Sequence, residues 1–276
     1  MTNRVLVELA DAVRSAPRVK IRGLDSAGLL QNPVDGIELQ APGGILTHVP
    51  EELTITVMAG TPLTDVVEVL SRAGQRVRLP HCGSIGGAVA TRRNGLYPVS
   101  NATLPNTVLM TRSVSGRGEV FVTGGPTVKN VSGFDLNKVL TGSWGIFALL
   151  VEVTLRVEPL PSCTRWFRGQ GPEAIASIVE LFRPAVSHIE SDTVTVCLEG
   201  HAGDVAEQAA LLRDCEETGE PSIPEHLSAE GSRSTIPALD AVGPEADIVR
   251  RLKTLFDPDG KMNAHLTSIA KEGVGS

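Results

Sequence analysis

The stretch that most constrains this chain runs from Gly124 to Val157, GGPTVKNVSGFDLNKVLTGSWGIFALLVEVTLRV. Three local signals follow one another in it. Gly124-Gly125-Pro126 spells a turn, because glycine reaches positive φ without steric cost and proline cannot continue a ladder. Phe134 to Leu140 predicts a short, half-apolar helical turn that stops at Gly142. After Gly145 an apolar run begins, in which Val151, Val153, Leu155 and Val157 alternate with Glu152, Thr154 and Arg156. A period of two predicts a strand with one buried face.

Between that helix and strand, Gly142-Ser143-Trp144-Gly145 brackets a hydroxyl and an indole with glycines. A ligand can approach the main chain closely at such a place, and loop N–H groups can donate to a phosphate or a polar ring edge. An ordinary helix-to-strand turn has the same glycine spacing, so these four residues alone leave both readings open.

Composition removes several function classes. The 276 residues suffice for one large domain or two modest ones, and 41% hydrophobic with 21% charged residues is ordinary for a globular chain. Aromatics are 3%, so the core is expected to be Val, Leu, Ile and Ala. A formal charge of −7, with no basic stripe and no aromatic platform, argues against nucleic acid as a partner. The longest apolar run, Ile146 to Val151, is too short to span a bilayer, and the N-terminus, with Glu8 and Asp11, has no secretory apolar region. A cytoplasmic location is the expectation. The four cysteines (Cys82, Cys163, Cys197, Cys215) are widely spaced and read as free thiols, and no histidine or cysteine spacing suggests a metal site.

Taken in order, residues 4 to 14 predict an amphipathic helix, and Val19 to Gly23 a strand entering a turn. Three β-rich segments follow at Asp35–Leu39, Leu46–Val49 and Leu53–Val57. A helix from Leu63 to Ala73 ends at Gly74. Segments Thr107–Thr111 and Val120–Thr123 predict a hairpin around Ser115-Gly116-Arg117-Gly118. Beyond Pro161 the texture changes: helix Ala174–Phe182, strand Thr193–Leu198, helix Val205–Glu217, then a loop or linker over residues 218–245. A last helix, Ala246–Phe256, precedes Asp257-Pro258-Asp259-Gly260-Lys261-Met262-Asn263, and residues 268–276 read as a tail.

The string VKNVSGFDLNKVLTGSWG followed by VEVTLRVEPLP resembles the FAD-linked oxidases of the vanillyl-alcohol-oxidase/PCMH type, most of all the FAD-binding subunit of bacterial glycolate oxidase. That family carries V-K-N-V-A-G-Y-D-L ahead of G-S-x-G-T-L-G and a strand with Glu and Thr. Ser132 and Phe134 are mild departures. Trp144 stands where an acidic residue is usual, and Ala148 where a glycine is. Val19-Lys20-Ile21-Arg22-Gly23 resembles the family's first pyrophosphate loop, I-R-G-G-G-S, matched at Arg22, Gly23 and Ser26. Leu24 and Asp25 replace its other glycines, which narrows the loop's conformations and sets a carboxylate beside a diphosphate. Ser84-Ile85-Gly86-Gly87-Ala88-Val89-Ala90-Thr91 resembles the second flavin loop, and D-P-x-G-x-x-N at 257–263 a closing signature. His81 and Cys82 fall outside the family's covalent-attachment pattern. Arg92 and Arg93 either offset a diphosphate charge or are simply solvated.

The resemblance implies an α+β fold: a PCMH-type FAD-binding domain of two α/β subdomains over residues 1–160, a reduced cap with linker over 161–249, and a return segment with tail over 250–276. A mixed or antiparallel sheet is expected around 106–157 and a smaller one around 19–59. The implied cofactor is FAD, held by Arg22, Gly23, Ser26, Ser84, Ile85, Gly86, Gly87, Thr91, Gly142, Ser143, Gly145 and Ile146, largely through main-chain N–H groups. The implied activity is oxidation of a small 2-hydroxy acid. The implied partners are a second FAD subunit and an iron–sulfur subunit of a glycolate-oxidase-like complex. No catalytic base is named by the sequence; Lys129 and Arg156 are the basic residues near a motif, and both read as structural. The alternative is a degenerate FAD-fold subunit with a structural or assembly role.

Overall fold

The computed structural model describes residues 2–24, 36–79, 82–93, 104–125, 136–221, 244–264 and 266. The run VKNVSGFD within 128–135, and with it Lys129, lies outside them, as do Asp25, Ser26 and His81. The N-terminal portion runs α1 (Thr2–Ser15), β1 (Val19–Arg22), β2 (Ile37–Gln40), β3 (Ile45–Val49), β4 (Thr54–Met58), α2 (Leu63–Arg72) and β5 (Gln75–Arg76). It continues through α3 (Ile85–Thr91), α4 (Leu104–Thr107), β6 (Val108–Ser115), β7 (Val120–Gly124), α5 (Leu136–Leu140), β8 (Ala148–Arg156) and β9 (Glu158–Pro159).

Strands β3, β4, β8, β6 and β7 make one five-stranded sheet in that order, every pair antiparallel. The expected smaller sheet over 19–59 divides instead. β1 and β2 form a separate parallel pair, while β3 and β4 join the large sheet beside β8. The 106–157 sheet is antiparallel and includes the expected hairpin, β6 to β7.

β8 is the sheet's middle strand and is covered on both faces from Ala148 to Leu155. The period-two reading predicted one exposed face, and the central position corrects it. Glu152 and Thr154 are buried with partners: Arg112 Nη1 donates to Glu152 Oε2 at 3.4 Å, and the hydroxyls of Thr154 and Thr56 lie 2.9 Å apart. A bulge also shifts the alternation, since Arg112 pairs with Glu152 and Ser113 with Leu150, leaving Val151 unpaired between them. Leu149 and Val151 therefore pack with Leu6, Ala10 and Val13 of α1. Val153, Leu155 and Val157 pack on the opposite side with Ile55 and with Leu63, Val66 and Leu70 of α2.

Residues beyond Ser162 build a second unit from β10 (Cys163–Gln170), α6 (Pro172–Ile178), β11 (Val186–Glu190), β12 (Thr193–Gly200), α7 (Ala202–Ala209) and β13 (Cys215–Thr218). The strand order is β11-β12-β10-β13, all antiparallel. A βαββαβ chain with that order has the ferredoxin-like topology. The expected helix Val205–Glu217 is corrected: α7 stops at Ala209, Asp214 turns the chain at φ 49°, and Cys215–Thr218 pairs with β10 as an edge strand. Arg165 clasps Glu217 across that edge at 2.9 and 2.6 Å.

The two units meet at four charged side chains. Arg76 donates to Glu158 at 2.7 Å and to both oxygens of Glu199 at 2.6 and 2.5 Å. Arg78 donates to Glu158 at 2.5 Å and to Glu199 at 3.1 Å. Burial works against the Arg76 charge, but hydrogen bonds and attraction from Glu199, then Glu158, outweigh it and hold its pKa above the ordinary value. Finally α8 (Pro244–Phe256) packs Val249, Leu252 and Phe256 onto the large core, and its C-terminus returns the chain to β1.

Candidate FAD site

The return is locked by Asp257. Its carboxylate accepts from Lys253 Nζ at 2.6 Å, from the Lys261 amide at 3.1 Å and from the Met262 amide at 2.8 Å. These bonds fold the D-P-x-G-x-x-N turn so that Asn263 enters the molecule at φ 45° with its side chain buried. Asn263 then stitches three segments together. Its amide donates to Val19 O at 2.8 Å, its Oδ1 accepts from the Ile21 amide at 2.7 Å, and its Nδ2 donates to Trp144 O at 2.7 Å.

Between this stitch and the start of β8 lies a cleft enclosing about 890 Å³, the open solvent of its mouth included. One wall is Ile21 to Leu24 with Asn263 and Leu266, the other α3 with its preceding Ser84. Trp144, Gly145 and the start of β8 close the floor, beside Ala41, Ala59 and Gly60. Glycine sets how near the walls come. A Cβ on Gly23 would lie 3.2 Å from Ser84 Oγ, and one on Gly87 would lie 3.1 Å from the same oxygen. Gly145 has φ 69°, and its Cβ would meet Asn263 Nδ2 at 2.8 Å and Ile21 Cδ1 at 3.0 Å.

Seven of the residues named from sequence line this cleft: Arg22, Gly23, Ser84, Gly86, Gly87, Thr91 and Gly145. Ser26 lies outside the described residues. Ile85, Gly142, Ser143 and Ile146 are not among the lining residues, and their N–H groups donate within the protein. Ile85 donates to Thr61 O at 3.0 Å, Gly142 to Val89 O at 2.9 Å, Ser143 to Leu140 O at 3.3 Å and Ile146 to Ser143 O at 3.1 Å. The Ser143 and Ile146 bonds shape the turn that presents Trp144 and Gly145, and the Gly142 bond ties it to α3. Gly86 also differs from its expected use: its amide donates to Ala59 O at 2.7 Å, and a Cβ there would sit 2.8 Å from Ala59 Cβ, so the glycine lets α3 press onto β4.

Sequence reasoning missed Asn263 and Leu266 as wall residues, although the 257–263 signature held the clue, and it did not separate Arg92 from Arg93. Arg92 is exposed in the left-handed conformation that ends α3, whereas Arg93 is 3% exposed and lines the cleft. Arg22 is half-exposed and pairs with Glu38 at 2.9 Å, whose carboxyl is held below its usual range by the hydrogen bond from Arg22. Among the described lining residues there is no His, Lys, Tyr, Asp or Glu.

The cleft lies between a parallel β pair and an antiparallel sheet, and comparison with known families shows what such a domain binds. Residues 7–124 match the FAD binding domain family, so this stretch carries a PCMH-type FAD-binding domain. It is 32% identical over 185 residues to glycolate oxidase subunit GlcE of Escherichia coli (strain K12), covering 64% of this chain and 53% of that protein. It is 29% identical over 156 residues to D-2-hydroxyglutarate dehydrogenase of Xanthomonas citri pv. viticola, covering 55% of this chain and 33% of that protein. This chain thus spans about half the length of the first relative and a third of the second. Among solved structures, alkyldihydroxyacetonephosphate synthase superposes with a TM-score of 0.57 at 12% identity, over 76% of this chain and 48% of that one, which shows the shared fold.

The residues present fit FAD. The cleft's floor is aliphatic and aromatic, as a flat ring system requires, and the glycine positions leave room that any larger side chain would fill.

Proposed function

We propose that this chain is the FAD-binding subunit of a glycolate-oxidase-like complex that oxidises a small 2-hydroxy acid and passes electrons from flavin to a partner subunit. The observation that carries the reading is the glycine-walled cleft inside an FAD binding domain, in a chain whose similar proteins include a glycolate oxidase subunit and a 2-hydroxyglutarate dehydrogenase. Bound FAD supplies the two-electron acceptor for an alcohol carbon. The chain's own groups hold and shield it: Gly23, Ser84 and Gly87 set the gap between the walls, and Trp144, Leu149 and Leu150 keep water from the floor. The division 1–160, 161–249 and 250–276 belongs to the same reading, with the ferredoxin-like unit as the reduced cap, and so does a cytoplasmic location with an iron–sulfur subunit and a second FAD subunit as partners.

Two observations favour the alternative, a subunit that keeps the fold for assembly and does no chemistry alone. No described cleft residue is a general base, and Leu24 occupies the wall where a loop glycine is usual. Two measurements decide. The purified chain should be yellow, with a flavin absorption band. Glycolate or lactate turnover with a dye acceptor should be weak for the chain alone and should rise when co-purified partners are added. A colourless protein that stays colourless after incubation with FAD would remove the cofactor reading, and robust turnover by the chain alone would remove the dependence on partners.

A further inference from the structure

An edge strand presents a row of unused N–H and C=O groups, so proteins commonly protect their sheet edges. Among the described residues, four strands stand at the edges of the two larger sheets: β3 and β7 in one, β11 and β13 in the other. Three of them carry features that discourage pairing. β3 is interrupted by a register shift between Ile45 and Thr47, β11 ends in Glu190, and β13 carries Glu216 and Glu217. β7 reads Val-Phe-Val-Thr-Gly, with no charge, no proline and no bulge in its pairing with β6.

The open groups on β7 follow from its ladder. The Ser115 amide donates to Glu119 O at 2.9 Å at one end of the hairpin, and the Gly125 amide to Leu109 O at 3.1 Å at the other. Bonded pairs alternate in an antiparallel ladder, so Phe121 and Thr123 bond to β6 while the N–H and C=O of Val120 and Val122 point away from it. Among the described residues none bonds to those groups, and the two side chains are 42% and 55% exposed.

Both neighbouring helices extend this apolar edge. On α1, Asn3 and Arg14 reach the hairpin: Asn3 Oδ1 accepts from Arg112 Nη2 at 2.9 Å, and Arg14 Nη2 donates to Gly118 O at 2.7 Å. Val7 shares their flank of the helix and is exposed. On α8, Leu255 O accepts from Arg117 Nε at 3.2 Å, and the Phe256 ring lies 5.2 Å from that of Phe121. Leu255 and Ile248, on one flank of that helix, are exposed as well. Apolar surface along a bare hydrogen-bonding edge marks an association site.

We infer that β7 is a homodimer edge: two copies of this chain pair β7 with β7, antiparallel about a twofold axis at Val122, into one continuous sheet. The strand is self-complementary in that arrangement. Val122 meets Val122 of the second copy, Val120 meets Gly124, Phe121 meets Thr123 and Glu119 meets Gly125, so no like charges face each other. The charges of α1 are already paired within the chain, Arg4 with Glu8 and Arg14 with Asp11, so the edge favours a neutral partner such as itself. The inference concerns this edge alone and stands whether or not the cleft holds FAD.

The test is sedimentation velocity of the full chain from about 1 to 100 μM at about 0.15 M salt, where repulsion between two chains of net charge −7 is screened. Pairing of one short strand is a small contact beside a standard interface of about 1,600 Å², so a reversible dimer of micromolar Kd is expected. V122K and V122E each set like charges across the axis and should weaken dimerisation roughly tenfold or more, with wild-type melting because Val122 is exposed. An equimolar mixture of the two should dimerise again, a recovery that a merely structural role of Val122 would not give. A wild type that stays monomeric at about 100 μM overturns the inference, as does V122K that dimerises like wild type. A mixture that stays monomeric overturns the axis at Val122. Should V122K not fold, V122E alone decides, since dimerisation at wild-type affinity in V122E contradicts the pairing.

Discussion

The cleft walls and the joint to the ferredoxin-like unit are built on opposite tolerances. At the cleft the chain approaches itself so closely that a single Cβ at Gly60 would lie 2.0 Å from Ala41 O, and backbone cannot give way cheaply. At the joint, contact is made by long charged side chains, Arg76 and Arg78 against Glu158 and Glu199, which reach across a gap and accept small displacements. The first region fixes position through the absence of side chains, the second through their flexibility and charge. The cleft accordingly belongs to the rigid region, and the ferredoxin-like unit is attached by a joint that can be weakened without touching the cleft.

Mutations can break or sharpen this contrast. The largest effect is expected for Gly60→Val, where the added atoms collide with the Ala41 and Pro42 carbonyls; it should cost more than about 4 kcal/mol and leave little folded protein. Asp257→Ala comes next. It leaves the half-buried Lys253 ammonium with the Ile146 and Met262 carbonyls but no anion, and frees the turn that carries Asn263, for a loss of about 3–5 kcal/mol in a denaturant titration. Glu199→Gln should cost about 2–3 kcal/mol, the worth of charged hydrogen bonds at a largely buried joint, and should speed proteolysis between the units while leaving FAD affinity unchanged. A fall in FAD affinity in Glu199→Gln would show that the two regions are not independent. The smallest effect is chemical. Burial, with the Glu199 charge adding to it, pushes the Cys197 thiol up to about 12, so mass spectrometry after alkylation at pH 8 should find Cys163 and Cys215 labelled well before Cys197.

The same contrast explains what the sequence revealed. α1, α2 and the β6–β7 hairpin were legible because their apolar residues recur at one clear period. Ser84 and Gly87 were legible because a run of small residues has few other uses. The cap was not. Cys163–Gln170 mixes Arg165, Arg168 and Gly169 into a strand, and Cys215–Thr218 is held by pairing with β10 and the Arg165–Glu217 clasp rather than by its own preference. Nor does spacing show where an amide bonds: the N–H groups of Ser143 and Ile146 close a turn, and that of Gly142 ties the turn to Val89 of α3. Arg92 and Arg93 read alike as neighbours until the left-handed turn at Arg92 sends one into water and the other inside. Asn263 acts on Ile21 from 242 residues away, a relation no local pattern records.

The claim that the glycine-walled cleft is where FAD binds is tested most directly at Gly87, where an added Cβ meets only the Ser84 hydroxyl and otherwise enters the open cleft. The measurement is a calorimetric titration of wild type and Gly87→Val with FAD, each checked for a cooperative melt. The branched side chain should weaken FAD binding by roughly tenfold or more, as overpacking of a close contact does, while the variant still melts as a folded protein. A folded Gly87→Val that binds FAD as tightly as wild type would contradict the account, because a cofactor held elsewhere is the one ligand this substitution cannot disturb.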